Sequence, residues 1–315
     1  MRRYRSRRVF RPDVMPDAMR MSGPCHVRAL AWSGPIEHNQ RVETFSSMWR
    51  TPMQPELLLF DIGNTSIKIG LAHERQVVTS YTLRTDAGQT ADDLGLKLAT
   101  LLGHAGVTPQ SLRACVASSV VPGFDPLLRE AVARYVDCPL YRVGADLSVP
   151  LENRYERPAE VGADRLVGAY AARRLYPEFP GLLVVDFGTA VTIDCVNGNA
   201  YMGGLIFPGP RTALSALSRE AAKLPRVNLD VRADEPTPGR STATSIQHGL
   251  VFGFACMVEG LAQRLKRQLP GPARVLGTGG FAASIARVSP VFDHVLPALL
   301  LEGLRRLYYE ERTAF

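Results

Sequence analysis

Apolar positions along the chain fall into two similar series. The first opens with Glu56-Leu57-Leu58-Leu59-Phe60, a short apolar run that ends in Asp61-Ile62-Gly63-Asn64-Thr65. This is the pattern of a buried strand running into a tight turn. Ile67, Ile69 and Leu71 then alternate with other residues and predict a return strand over Ser66–Ala72, and Gln76–Leu83 predicts a third strand. Leu94, Leu98, Leu101 and Leu102 lie on one side of a helix predicted over Ala91–Leu102. A β-rich run over Arg113–Val121 and a helix over Asp125–Tyr135 follow.

The series then restarts. Leu182-Leu183-Val184-Val185 runs into Asp186-Phe187-Gly188-Thr189, with a return strand predicted over Val191–Val196 and a third over Ala200–Ile206. Helices are predicted at about 210–222, 243–268 and 298–311, and the strand Arg274–Leu276 runs into Gly277-Thr278-Gly279-Gly280. One unit thus occurs twice, with its aspartates at 61 and 186. An internal duplication predicts two α/β domains of similar build, over 54–180 and 181–315, facing each other across a cleft.

Residues 1–53 stand outside this pattern. They lack a periodic apolar face and carry ten arginines and no lysine against four acids, which is +6 of the net +7. The body is therefore nearly neutral, and the basic balance does not mark it as a nucleic-acid binder. The tail reads as a disordered or non-native extension, with an address signal or phosphate binding by the Arg2–Arg8 cluster as alternatives. Met53 directly precedes the first strand and could be the translation start. The longest strongly apolar uncharged run, Gly249–Val258, is far shorter than the ~20 residues of a membrane span. Five scattered cysteines with no CxxC pair argue against a zinc site or a disulfide framework, so a reducing cytoplasm is expected.

The two Asp–Gly–Thr turns carry the candidate chemistry. Glycine lets backbone approach a ligand, turn N–H groups face an anion, and the threonine hydroxyl adds a donor. Either turn alone is compatible with a plain hairpin. Two at matching positions predict a grip on a polyphosphate from both sides, with Lys68 adding positive charge, Asp186 free to hold a cation, and the glycines at 277–280 placed against a nucleobase or ribose. GxxxxGK[ST] is absent, so a P-loop reading is poor. Between the halves, a helix predicted from Gly162 to about Leu175 places Asp164 and Arg165 in its first turn. The helix dipole there should keep Asp164 ionised, and an ionised Asp near a substrate hydroxyl is the base that phosphoryl transfer to an alcohol uses. Arg165 offers a planar fork for a carboxylate or phosphate.

DIGNTSIKIG (61–70), NRYERPAEVGADR (153–165), VVDFGTAVTID (184–194) and GGLIFPG (203–209) together resemble the type III pantothenate kinases of bacteria, members of the acetate kinase/sugar kinase/heat-shock-70/actin superfamily. The resemblance covers about residues 54–315. It implies duplicated actin-like (ribonuclease H-like) α/β domains with an ATP cleft between them, and ATP-dependent phosphorylation of pantothenate, the first step of coenzyme A synthesis. It assigns ATP contacts to Asp61, Ile62, Gly63, Asn64, Thr65, Ser66, Ile67, Lys68 and Thr189, and the proton acceptor to Asp164. Pantothenate contacts fall on Tyr155, Gly162, Ala163, Asp164, Arg165 and Thr242, and a monovalent cation, K⁺ or NH₄⁺, on Asp186. Mg²⁺ would accompany ATP. A cytoplasmic homodimer is implied, with Thr242 reaching the partner's site and no nucleic acid or membrane partner. Gly168 and His248 depart from the common residues Asn and Ser. Two other readings remain open from the residues: another small-molecule kinase on this fold, and a non-enzymatic ATP-dependent regulator, against which Asp164 argues.

Overall fold

The structure, a computed structural model, describes residues 54–86, 88–221 and 224–313, all within one compact unit, residues 50–315. The expectations for residues 1–53 lie outside the described residues.

The first sheet is built from β1 (Leu57–Ile62), β2 (Ser66–His73), β3 (Gln76–Arg84), β4 (Ala114–Ser119) and β5 (Leu140–Arg142), in the order β3-β2-β1-β4-β5. The second uses β6 (Glu152–Asn153), β7 (Gly181–Phe187), β8 (Ala190–Asn197), β9 (Ala200–Pro208), β10 (Ala273–Thr278) and β11 (His294–Val295), in the order β11-β10-β7-β8-β9-β6. Read from its other edge, and leaving out β6, the second order repeats the first. In both sheets the first two connections are antiparallel and the fourth strand pairs parallel with the first. The expected duplication is therefore a property of the topology. The strands β5, β6 and β11 have only two or three residues, too few for periodicity to mark them.

Strand alternation sorts the residues into layers. Leu58, Phe60 and Ile62 face outward with Leu94, Leu98 and Leu128 of α1 (Ala91–His104) and α2 (Phe124–Tyr135). Leu57 and Leu59 face the other way, onto Val167 and Tyr170 of α3 (Ala163–Leu175) and Leu304 and Leu307 of α7 (Leu299–Thr313). In the second sheet Leu182 and Val184 face Ala169 and Ala172 of the same α3. Leu183 and Val185 face outward onto Val251, Phe254 and Val258 of α5 (Thr242–Lys266) and onto Ile285 of α6 (Ala282–Ala286). Helix α3 is thus the layer shared by both sheets. Its small residues, Gly168, Ala169, Ala171 and Ala172, are buried. The segment β6, before residue 180, joins the second sheet, and α7, after it, covers the first.

Helix α5 is long and apolar enough, by length and composition, to cross a membrane. Its apolar run is accounted for by packing: Val251, Phe252, Phe254, Ala255, Val258 and Ala262 are all in the second core. The four described cysteines are free thiols.

Residues 1–53 lack a periodic apolar face, and the four motifs all lie between 61 and 209. A chain beginning at Met53 is therefore expected to match the full chain in melting temperature and in kinase kinetics. A drop of several degrees or a loss of turnover on truncation would make the N-terminal segment part of the working protein.

Candidate active site

Three aspartates and one lysine converge on the inner layer. Asp61 shares the α3-facing side of β1 with Leu57 and Leu59, and Asp186 shares that side of β7 with Leu182 and Val184. Asp164 stands in the first turn of α3 between them. Parity along the two strands therefore aims both acids at one helix N-terminus. Lys68 lies opposite Asp61 in the β1–β2 register, with Nζ 3.3 Å from Asp61 Oδ2.

The charges are unevenly matched. Burial works against the Lys68 ammonium, but Asp61, Asp186 and Asp164 together more than offset it, and its pKa lies above the ordinary lysine value. Burial raises Asp61, and Asp164 adds to the rise, while Lys68 opposes both. Asp164 is raised too, mainly by burial, despite the Arg165 backbone N–H that donates to its Oδ1 at 2.8 Å. The helix terminus and its neighbours favour the Asp164 carboxylate, as expected, but loss of solvent outweighs them in the direction of its shift. Asp186 is pushed up to about 6 by burial, with Asp61, Asp164 and Asp194 adding and Lys68 opposing. Part of the Asp186 residue reaches solvent, yet its Oδ1 is enclosed and has no hydrogen-bond partner.

Glycines make room for these carboxylates. Gly279 has φ +88°, and a Cβ there would fall 2.3 Å from Asp186 Oδ1. The glycine cluster after β10 thus serves Asp186 directly, a role the sequence did not suggest. A Cβ on Gly162 would fall 2.5 Å from Asp164 Oδ1. One on Gly209 would fall 2.2 Å from the Gly188 carbonyl oxygen, so Gly209 lets α4 (Pro210–Glu220) start against the second turn.

The two turns meet. Gly63 N–H donates to the Ser66 carbonyl at 3.0 Å, and Gly188 N–H to the Ala190 carbonyl at 3.0 Å. The Gly63 carbonyl accepts from Thr85 Oγ1, and the Thr189 carbonyl from Gly209 N–H and Thr212 Oγ1. The exposed hydroxyls of Thr65 and Thr189 lie 2.7 Å apart, although 124 residues separate them in the chain. Asn64 is exposed and Ser66 half-buried. Ile62 and Ile67 are buried in the outer core, so only their backbone is available to a ligand.

On the acceptor side, Gly162 and Ala163 start α3, and Tyr155 is half-buried with its ring 6.4 Å from that of Tyr201. Arg165 is not a free fork. Its Nε donates to Asp194 Oδ1 at 2.8 Å, and its Nη2 lies 2.6 Å from the same oxygen. Asp194 was missed in the sequence, although a carboxylate at an inward position of the apolar run Val191–Val196 is a readable signal. Thr242 is exposed at the start of α5, the helix that packs on the outer face of the second sheet, opposite α3. Among the described residues, no three His, Cys, Asp or Glu side chains gather as a metal cage.

The family model for type III pantothenate kinase matches residues 57–264, which hold every one of these groups except the Gly279 cluster. The chain belongs to the type III pantothenate kinase family. It is 60% identical over 258 residues to the type III pantothenate kinase of Nitratidesulfovibrio vulgaris strain Miyazaki F, covering 82% of this chain and 98% of that one. It is 44% identical over 256 residues to that of Lawsonia intracellularis, covering 80% and 95%. Among solved structures it is similar to component A of the (R)-2-hydroxyglutaryl-CoA dehydratase of Acidaminococcus fermentans, at 14% identity and TM-score 0.48, covering 82% and 99%. As a pantothenate kinase, the chain is a transferase of coenzyme A biosynthesis, carried on a doubled α/β topology.

The raised pKa of Asp186 makes a stability prediction. An acid at about 6 in the fold and near 3.8 unfolded holds a proton in the folded chain that the unfolded chain has released. Its contribution therefore falls as pH rises from about 4 to 6 and is flat above, a loss of at most ~3 kcal/mol. Asp186→Asn cannot titrate. Its melting temperature, measured without added K⁺, is expected to fall several degrees less than wild type between pH 4.5 and 8. Identical pH dependence in the two proteins would contradict the buried, unpaired carboxyl.

Proposed function

We propose that Asp164 is the general base for transfer of the ATP γ-phosphoryl group to the primary hydroxyl of pantothenate. The observation that carries this reading is the placement of Asp164, on the helix shared by both sheets and beside the two strand-end acids. A carboxyl raised above its ordinary value accepts a proton more readily than a surface Asp. ATP phosphates would lie between the 61–68 and 186–189 turns, where the Thr65 and Thr189 hydroxyls offer donors from opposite sides. Pantothenate would lie along Tyr155 and 162–165, with its carboxylate toward Arg165. Asp164 orients the hydroxyl oxygen in line with the γ-phosphorus and takes its proton as the bond forms; positioning and electrostatics supply most of the acceleration.

Three acids share the site with one lysine, and a polyphosphate adds further negative charge. Cations must therefore enter with the nucleotide. Asp186 fits a monovalent cation: its Oδ1 is enclosed without a partner, and the absent Cβ of Gly279 leaves the space. K⁺ or NH₄⁺ held there would screen the acids from the phosphates. Mg²⁺ would travel with ATP, since it keeps most of its waters and needs few protein ligands.

The family reading extends to a cytoplasmic homodimer in which Thr242 serves the partner's acceptor site. Thr242 is exposed at the start of α5, away from the inner layer that holds Asp164, which is compatible with that role.

An ADP-release assay with pantothenate, with and without K⁺, tests the whole. Phosphorylation of a hexose in place of pantothenate would replace the acceptor assignment. Asp186→Asn is expected to lose most of the K⁺ activation and to raise the KM for ATP; a K⁺ response as steep as wild type would remove Asp186 from the cation site.

A further inference from the structure

Asp194 is 2% exposed in the middle of β8, on the side that faces α3. Its Oδ1 accepts from Arg165 Nε at 2.8 Å and from the Tyr201 hydroxyl at 2.8 Å, and its Oδ2 accepts from Thr192 Oγ1 at 3.1 Å. Arg165 Nη2 lies 2.6 Å from the same Oδ1, and the Arg165 guanidinium stands 5.8 Å from the centre of the Tyr201 ring. Gly204 is the register partner of Asp194 on β9. A Cβ there would fall 2.9 Å from Arg165 Nη2, 3.0 Å from Asp194 Oδ1 and 2.2 Å from the Ile193 carbonyl oxygen. The sheet is thus relieved of a side chain where the ion pair passes.

Stability alone does not account for this arrangement. Desolvating two charges offsets most of their attraction, and apolar replacements of a buried pair are often neutral or better. What the pair does provide is direction. Nε and Nη2 form one edge of the guanidinium plane, and Asp194 lies along that edge, accepting from Nε and in ion-pair contact with Nη2. The edge that carries Nη1 is then fixed in orientation, one residue from Asp164.

We propose that Asp194 is a positioning residue for the acceptor: held by Tyr201 and Thr192, it fixes Arg165 so that the outer edge of the guanidinium meets the acceptor's carboxylate. This rests on Arg165 as the carboxylate partner. Asp194 itself touches neither substrate.

The test compares pantothenate with its alcohol analogue, in which CH₂OH replaces the carboxylate, in Asp194→Asn, Tyr201→Phe and Arg165→Gln. Losing a hydrogen bond to a charged group corresponds to roughly 10-fold or more in binding. Asp194→Asn is expected to raise the pantothenate KM by about that factor, with kcat and the ATP KM changing by less than about threefold. The alcohol analogue, with no carboxylate to meet, should change little. Tyr201→Phe keeps the ring and the ion pair and should move the pantothenate KM the same way by about two- to fivefold, even if Asp194→Asn folds poorly. Equal KM changes for acid and alcohol would reveal a merely structural role and overturn the proposal. So would an unchanged pantothenate KM in the folded Asp194 and Tyr201 variants while Arg165→Gln loses affinity. If Arg165→Gln itself leaves the acid-to-alcohol preference intact, the Arg165 assignment fails and the positioning role falls with it.

Discussion

Asp164→Asn is expected to lower kcat by roughly 10²–10⁴-fold, the range for removing general base catalysis. The substitution keeps the shape and the Arg165 backbone N–H contact that the carboxylate makes at 2.8 Å. It removes one of the three acids around Lys68, so ATP binding should be preserved or slightly improved. The effect therefore belongs in kcat and not in the ATP KM. Turnover within a few-fold of wild type would reject Asp164 as the base. A fall in kcat matched by an equal weakening of ATP binding would instead mark it as a charge that organises the nucleotide.

Gly279→Ala is expected to be strongly destabilising. Its φ of +88° strains any L-residue, and the new methyl would sit 2.3 Å from Asp186 Oδ1 and 2.6 Å from the Phe187 backbone nitrogen. Backbone strain of ~1–3 kcal/mol and a contact that neither neighbour can yield freely combine to about 2–4 kcal/mol. That corresponds to a fall in melting temperature of roughly 5–15 °C for a chain of this size. Displacing Asp186 should also blunt the response to K⁺. Gly280 is the control, because nothing lies within 4 Å of a Cβ built there. Gly280→Ala should melt within about 2 °C of wild type, as ordinary surface substitutions do. Similar losses in the two variants, or none in Gly279→Ala, would remove the steric account of the Asp186 pocket.

Much of the site was legible because it is local in sequence. A strand followed by Asp–x–Gly–(x)–Thr fixes where its acid stands relative to its own turn, and the repeat of that unit at 61 and 186 disclosed the duplication. The helix start at Ala163 was legible for the same reason, since the residues after Gly162 suit a first turn. Nothing local could show that Thr65 and Thr189 touch, or that one helix separates the two sheets. Nor could it show that Gly279 exists to admit Asp186, since its register partner, Thr278 on β10, meets Asp186 across 92 residues of chain.

The sequence by itself determined the longer elements, the acids at 61, 164 and 186 along them and the family, because hydrophobic period and turn chemistry act over a few residues. The tertiary structure alone decided the protonation balance and the partners. The helix start favours the Asp164 carboxylate; burial, which depends on both sheets closing over α3, acts the other way and raises its pKa. Arg165 was expected to be free for substrate; the return strand of the second unit supplies Asp194 to hold it. Desolvation and ion pairing depend on distances between segments far apart in the chain, and those distances exist only once the two halves have packed on their common helix.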